Sequence, residues 1–200
     1  MNSAYNAKLV IVGVLSTVSF FILLTLTEAI PEIPVDIDFK PFFVPMSLIA
    51  VVPTGCPALA VSLGAMLGEF LRDMLEGYEI DDPIGAVGYV VGFFSSAYVI
   101  GNRPLNKVRV FIACLVAGFV HAVIEATSFI IFDTETLYIA VYAAIGNTIT
   151  DGLIMGAIPT IFIVPRLYGR IERYLGFPPK GIEHYRRDRR QQARGTALPF

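Results

Sequence analysis

His121 and Glu125 stand four residues apart in one apolar stretch, and Asn147 and Asp151 stand four apart in another. Residues at i and i+4 share a helix face. A charged side chain at the centre of a membrane helix costs roughly 2.5–3.5 kcal/mol, so such groups face protein or a wet cavity and mark a site. His121, Glu125 and Asp151 together could hold a metal, relay a proton or receive a donor-rich ligand. They could also serve only as hydrogen-bonding glue between helices, beside small residues such as Gly152 and Gly156. A third group, Glu69, Arg72 and Asp73, closes another apolar run and can pair within itself. A fourth, Asp36, Asp38 and Lys40, lies in a proline-rich connection and reads as a solvated loop.

The elements that carry these residues are apolar helices. Of 200 residues, 55% are hydrophobic and 16% charged. Mean hydropathy is +0.67. Soluble domains carry about a quarter charged residues. The expected fold is an all-α integral membrane protein. A bilayer core of ~30 Å takes about 20 residues of helix. The candidate runs are 7–30, 42–52, 58–75, 84–100, 108–132 and 137–164, the last with Pro159 as an expected interruption. The first is read as a retained helix, because its apolar run is longer than that of a signal peptide. A six-helix membrane domain over residues 1–165 and a basic tail over 166–200 are expected.

Charge sets the orientation. Glu28, Glu32, Asp36 and Asp38 follow the first run; Glu76, Glu79, Asp81 and Asp82 follow the third; Asp133 and Glu135 follow the fifth. Lys8, Arg103, Lys107, Arg109 and the arginines of the tail fall on the other side of a six-span arrangement. Lys and Arg concentrate on the cytoplasmic side, so both termini are expected there, in a multi-pass protein of the cell membrane. Arg186, Arg187, Arg189 and Arg190 then read as a membrane-surface anchor or partner contact.

The stretch from Val52 to Gly77 opens on a Pro/Gly break and becomes a helix with Gly64 and Gly68 on one face. Small residues at this spacing let another helix approach closely. Cys56 and Cys114 fit neither a disulfide framework nor a zinc spacing. There is no HExxH, GxSxG or Walker A pattern, and no basic face interleaved with aromatics for nucleic acid. The expectation is a non-enzymatic protein without a cofactor or a bound metal. Phe93, Phe94, Tyr98, Tyr138 and Tyr142 could stack on a planar ligand or simply face lipid. Glu125 and Asp151, with Arg72 the one arginine in the outer half, suit a ligand of cationic or donor character.

Pro53, Gly55, Gly64, Gly68, Glu69 and Asp73, preceded by D-F-K-P-F-F-V-P-M, resemble the motif region of the substrate-binding S components of energy-coupling factor transporters. The likeness in architecture spans about residues 7–165. It implies a small membrane subunit that captures a vitamin, vitamin precursor or other micronutrient from outside. It also implies partners in the lipid bilayer: a membrane T subunit and two ATPases, with toppling of the capture subunit as the delivery step. The family's pocket lies toward the outside, which by position selects Asp38, His121, Glu125 and Asn147. The family's A-x-x-x-A pattern is absent from the centre of the first helix, and Ala4, Ala7, Gly13, Ser16 and Ser19 supply small residues instead. Two other readings stay open: an accessory subunit of a membrane complex, or an intramembrane lipid-modifying enzyme using His121, Glu125 and Asp151.

Overall fold

The computed structural model describes residues 3–27, 37–78, 82–132 and 136–181. Its helices are α1 (Ser3–Thr27), α2 (Phe43–Val51), α3 (Cys56–Glu76), α4 (Asp82–Ile100), α5 (Lys107–Ile131), α6 (Leu137–Asn147), α7 (Ile158–Leu167) and α8 (Ile171–Leu175). A π-helical segment, Thr148–Ala157, joins α6 to α7. Four helical stretches are long and apolar enough to cross a membrane: Ser3–Thr27, Asp82–Ile100, Lys107–Ser128 and Leu137–Leu167. This is the pattern of a multi-pass membrane protein. The 21-residue α3 has the length as well, but Glu69, Arg72, Asp73 and Glu76 crowd its last two turns. Glu28, Glu32, Asp36, Glu79, Asp81, Asp133, Glu135 and Arg186, Arg187, Arg189 and Arg190 lie outside the described residues.

α2 has nine residues and is about 14 Å long at 1.5 Å per residue. Its sequence, FVPMSLIAV, is apolar all round, and such a helix must be covered on every side. It is: α1, α3, α4, α5, α7 and the π segment all pack on it. Around this centre α1 packs on α3, α3 on α4, α4 on α5, and α5 on α6 and the π segment.

Gly64 and Gly68 find their partner in α1. A Cβ on Gly64 would overlap the Gly13 carbonyl oxygen, and one on Gly68 would lie 2.9 Å from the Thr17 carbonyl oxygen. The Ser16 hydroxyl donates to the Val61 carbonyl at 2.8 Å across the same seam. The small residues of the first helix are therefore used inside the chain. The outward face of α1 carries Val10, Ile11, Val14, Val18 and Ile22.

The expected interruption at Pro159 does not occur. The helix continues from Leu137 to Leu167 because the π segment widens just before the proline. There the Ile158 N–H bonds the Leu153 carbonyl, five residues back. A proline has no N–H to give, and the irregular turn accommodates that loss. The widened backbone also lies against α5: a Cβ on Gly118 would come 2.6 Å from the Gly152 Cα.

Beyond α8 the chain returns to the bundle. Phe177 and Lys180 are buried, and the Lys180 ammonium donates to the Ile49 carbonyl in the last turn of α2 at 3.2 Å. Burial pushes this ammonium down to about 8 from the ordinary lysine value. Between about 8 and 10.5 the unfolded chain then binds more protons than the folded one, so stability rises with pH across that window. Lys180→Met is expected to abolish this slope. Thermal midpoints of both proteins at pH 7.5 and 10 check it; parallel lines for the two would contradict the assignment.

Candidate functional site

The site forms where the non-helical residues Ile37–Phe42 cross the bundle above α2. Ile37 fills a notch at Gly146 on α6, where a Cβ would overlap the isoleucine side chain. Phe42 is buried against the rings of Tyr89, Phe93 and His121, with centroids 5.9, 4.8 and 5.3 Å away. Between these two anchors sits Lys40, only 7% exposed. Its backbone N–H donates to Asp151 Oδ1 at 2.8 Å.

The Lys40 ammonium is ringed by carboxylates. It donates to Glu125 Oε1 at 2.7 Å and lies 3.3 Å from Asp38 Oδ2 and 3.8 Å from Glu69 Oε1. The Tyr89 ring lies beneath it, 5.7 Å from the nitrogen. Glu125 also faces His121, with Nδ1 and Oε2 3.6 Å apart, and the Asn147 amide bonds its carboxylate. Arg72 reaches the edge of the cluster: its Nη1 is 3.9 Å from Glu69 Oε1 and from Asp73 Oδ1, while Nη2 pairs with Glu76 at 2.7 Å.

Helix spacing explains why these groups converge. His121 and Glu125 share a face of α5 turned to α4 and the centre. Asn147 and Asp151 are presented by the end of α6 and by the π segment. Glu69 comes from the buried face of α3, one residue after Gly68, and is 6% exposed. Thus Asp38, Glu69, His121, Glu125, Asn147 and Asp151 meet in one chamber, although they are spread over more than half the chain. Asp73 stays at the rim with Arg72.

Two expectations change. The Asp38–Lys40 part of the supposed solvated loop is folded inward, and Lys40 is the central residue of the cluster. Its burial follows from the neighbouring Phe42 and Ile37, which drag the polar residues between them into the bundle. Tyr89 was likewise not singled out in the sequence. Conversely, Tyr98, Tyr138 and Tyr142 are exposed, at 60%, 78% and 50%, and turn away from the chamber. Phe93 is buried in the aromatic cluster with Phe20, Phe42 and Tyr89. Cys56 is exposed and Cys114 buried, both as free thiols. Among the described residues no group of three or more His, Cys, Asp or Glu side chains has a geometry fit for a metal ion.

Three carboxylates, Asp38, Glu69 and Glu125, thus face one buried ammonium, Asp151 accepts the backbone N–H of the same lysine, and Arg72 is a second cation at the edge. Asp151 and His121 are each 1% exposed, and among the described residues Asp151 Oδ2 and His121 Nε2 have no hydrogen-bond partner. Buried polar atoms in this condition are uncommon. The chamber is rich in acceptors and short of donors.

Residues 11–197 match a family described as a family of unknown function (DUF8171). The chain belongs to that family. No curated protein and no solved structure matches it.

Proposed function

We propose that this member of the DUF8171 family is a substrate-capture subunit of an energy-coupling factor type transporter, serving uptake of a vitamin, vitamin precursor or other micronutrient. The observation that carries this reading is the chamber itself. It gathers acidic and aromatic groups from five separate elements of an apolar bundle, roofed by the segment that follows α1. A binding site needs mostly apolar walls with a few placed polar groups, and here the aromatic floor of Phe42, Tyr89 and Phe93 supplies the walls. Charges gathered at this expense to folding are usually functional.

In this reading the chain crosses the membrane six times, with α2 as a short, protein-covered span and α3 as a full one. Both termini face the cytoplasm, and the chamber lies toward the outside. The protein captures without catalysis; energy comes from two ATPases through a membrane T subunit. Because Gly13 and Ser16 are engaged by α3, the T subunit must meet the larger residues on the outer face of α1 or another helix.

The test is mass spectrometry of small molecules retained by gently purified protein, together with coexpression of T subunit and ATPases. A retained micronutrient and a copurified complex are expected. Glu125→Ala and Asn147→Ala are each expected to weaken retention of that molecule at least tenfold while the protein still reaches the membrane. Undiminished retention in both variants would remove the chamber as the binding site.

A further inference from the structure

We propose that the chamber receives a small organic cation bearing N–H donors, of the amidinium or guanidinium class, and that Lys40 is its built-in competitor. This rests on the capture role for the direction of arrival, and it narrows the ligand's chemistry.

Lys40 occupies its place as a bound cation would. Carboxylates of Glu125, Asp38 and Glu69 surround the nitrogen at 2.7, 3.3 and 3.8 Å, and an aromatic face lies under it at 5.7 Å. Carboxylates with an aromatic face form the standard receptor for ammonium and guanidinium groups. Yet one ammonium does not use up the site. Its point charge leaves Asp151 Oδ2 without a partner among the described residues, in a residue 1% exposed, and the adjoining His121 Nε2 likewise. Lys40 reaches Asp151 through its backbone N–H alone. A planar cation with several donors can bond Glu125 and Asp151 together, which Nζ of Lys40 does not do.

The tether is built to be exchanged. Residues 38–41 lie outside the helices, and Lys40 is held by its backbone bonds to Asp151 and Phe42 and by its side-chain ion pairs, of which the ion pairs alone must break for the ammonium to leave. Entry of the external cation at the carboxylates requires Lys40 to leave them. A competitor on the same chain lowers the apparent affinity by the fraction of time it occupies the site. It also offsets part of the negative charge of the cluster, which limits the self-repulsion of its carboxylates. Removing the lysine charge therefore opens the site to an external cation.

The experiment uses full-length protein in lipid nanodiscs and methylguanidinium as the probe. Tetramethylammonium, with equal charge and no N–H, is the control. Lys40→Met is expected to gain thermal stability saturably with methylguanidinium, at a midpoint concentration at least tenfold below that of the wild type. Tetramethylammonium should give no such gain, and Glu125→Gln added to Lys40→Met should erase it. Equal midpoints in wild type and Lys40→Met, or an equal response to tetramethylammonium, would overturn the proposal. A second arm needs no variant. Acylation of Lys40 in the wild type, read by peptide mass spectrometry, is expected to rise several-fold with methylguanidinium and not with tetramethylammonium. No rise would overturn exchange even if Lys40→Met failed to fold. A wild type that retains a micronutrient but shows no such rise would sink the exchange and leave the capture role standing.

Discussion

Replacing Gly64 by alanine is expected to destabilise the protein by about 1–3 kcal/mol, the usual cost of overpacking a tight contact. The added methyl overlaps the Gly13 carbonyl oxygen and approaches the Ser16 Cβ at 2.8 Å. Neither can yield cheaply, because a backbone carbonyl moves only with its helix. α1 must therefore step away from α3, and the Ser16 bond to the Val61 carbonyl stretches with it. Gly85→Ala on α4 is the matched control. Among the described residues a Cβ there meets only Glu125 Oε1 at 3.9 Å, ordinary contact distance. Alanine also favours a helix by about 1 kcal/mol over glycine, so this variant should be neutral or stabilised. Thermal unfolding of the two variants in one detergent separates them. A Gly64→Ala protein as stable as Gly85→Ala would mean that α1 does not rest on α3.

That seam was readable in advance on one side only. Gly64 and Gly68 signalled a close helix approach, but no spacing rule says which helix approaches. The answer depends on the partner's small residues, and Gly13 and Ser16 do not form the pattern that would have announced them. The six apolar runs were legible because hydropathy is a local property. α2 matched within a residue at each end for the same reason. The continuity through Pro159 was not legible, since a π turn leaves no sequence mark beyond the proline it accommodates. The chamber was half legible. His121, Glu125, Asn147 and Asp151 announced themselves as polar residues at i, i+4 in apolar helices. Lys40 did not, because in a loop a lysine beside aspartates is ordinarily solvated. Its burial is decided by Ile37 and Phe42, whose anchoring at Gly146 and among the aromatic rings is a tertiary event.

Glu125→Gln is expected to change sign depending on what stands at position 40. In the wild type it removes the closest charged partner of Lys40, a bond of 2.7 Å between side chains 9% and 15% exposed. A charge-assisted bond of this kind contributes about 1.5–3 kcal/mol, so the variant should be destabilised. Lys40 keeps Asp38 and Glu69 within 4 Å, which holds the loss toward the lower end. Lys40→Met is the harsher change. It leaves the buried carboxylates without their central cation, and breaking a buried pair in this way costs about 3–5 kcal/mol. In that background Glu125→Gln takes away one uncompensated charge and puts nothing at risk, so it should restore stability. Arg72 does not prevent this, because it touches Glu69 at the rim and is committed to Glu76 at 2.7 Å. The cycle is read by thermal or denaturant unfolding of the two single variants and the double variant. A double variant less stable than Lys40→Met alone would show that Glu125 is held by something other than the lysine, and the chamber would then have to be described without Lys40 at its centre.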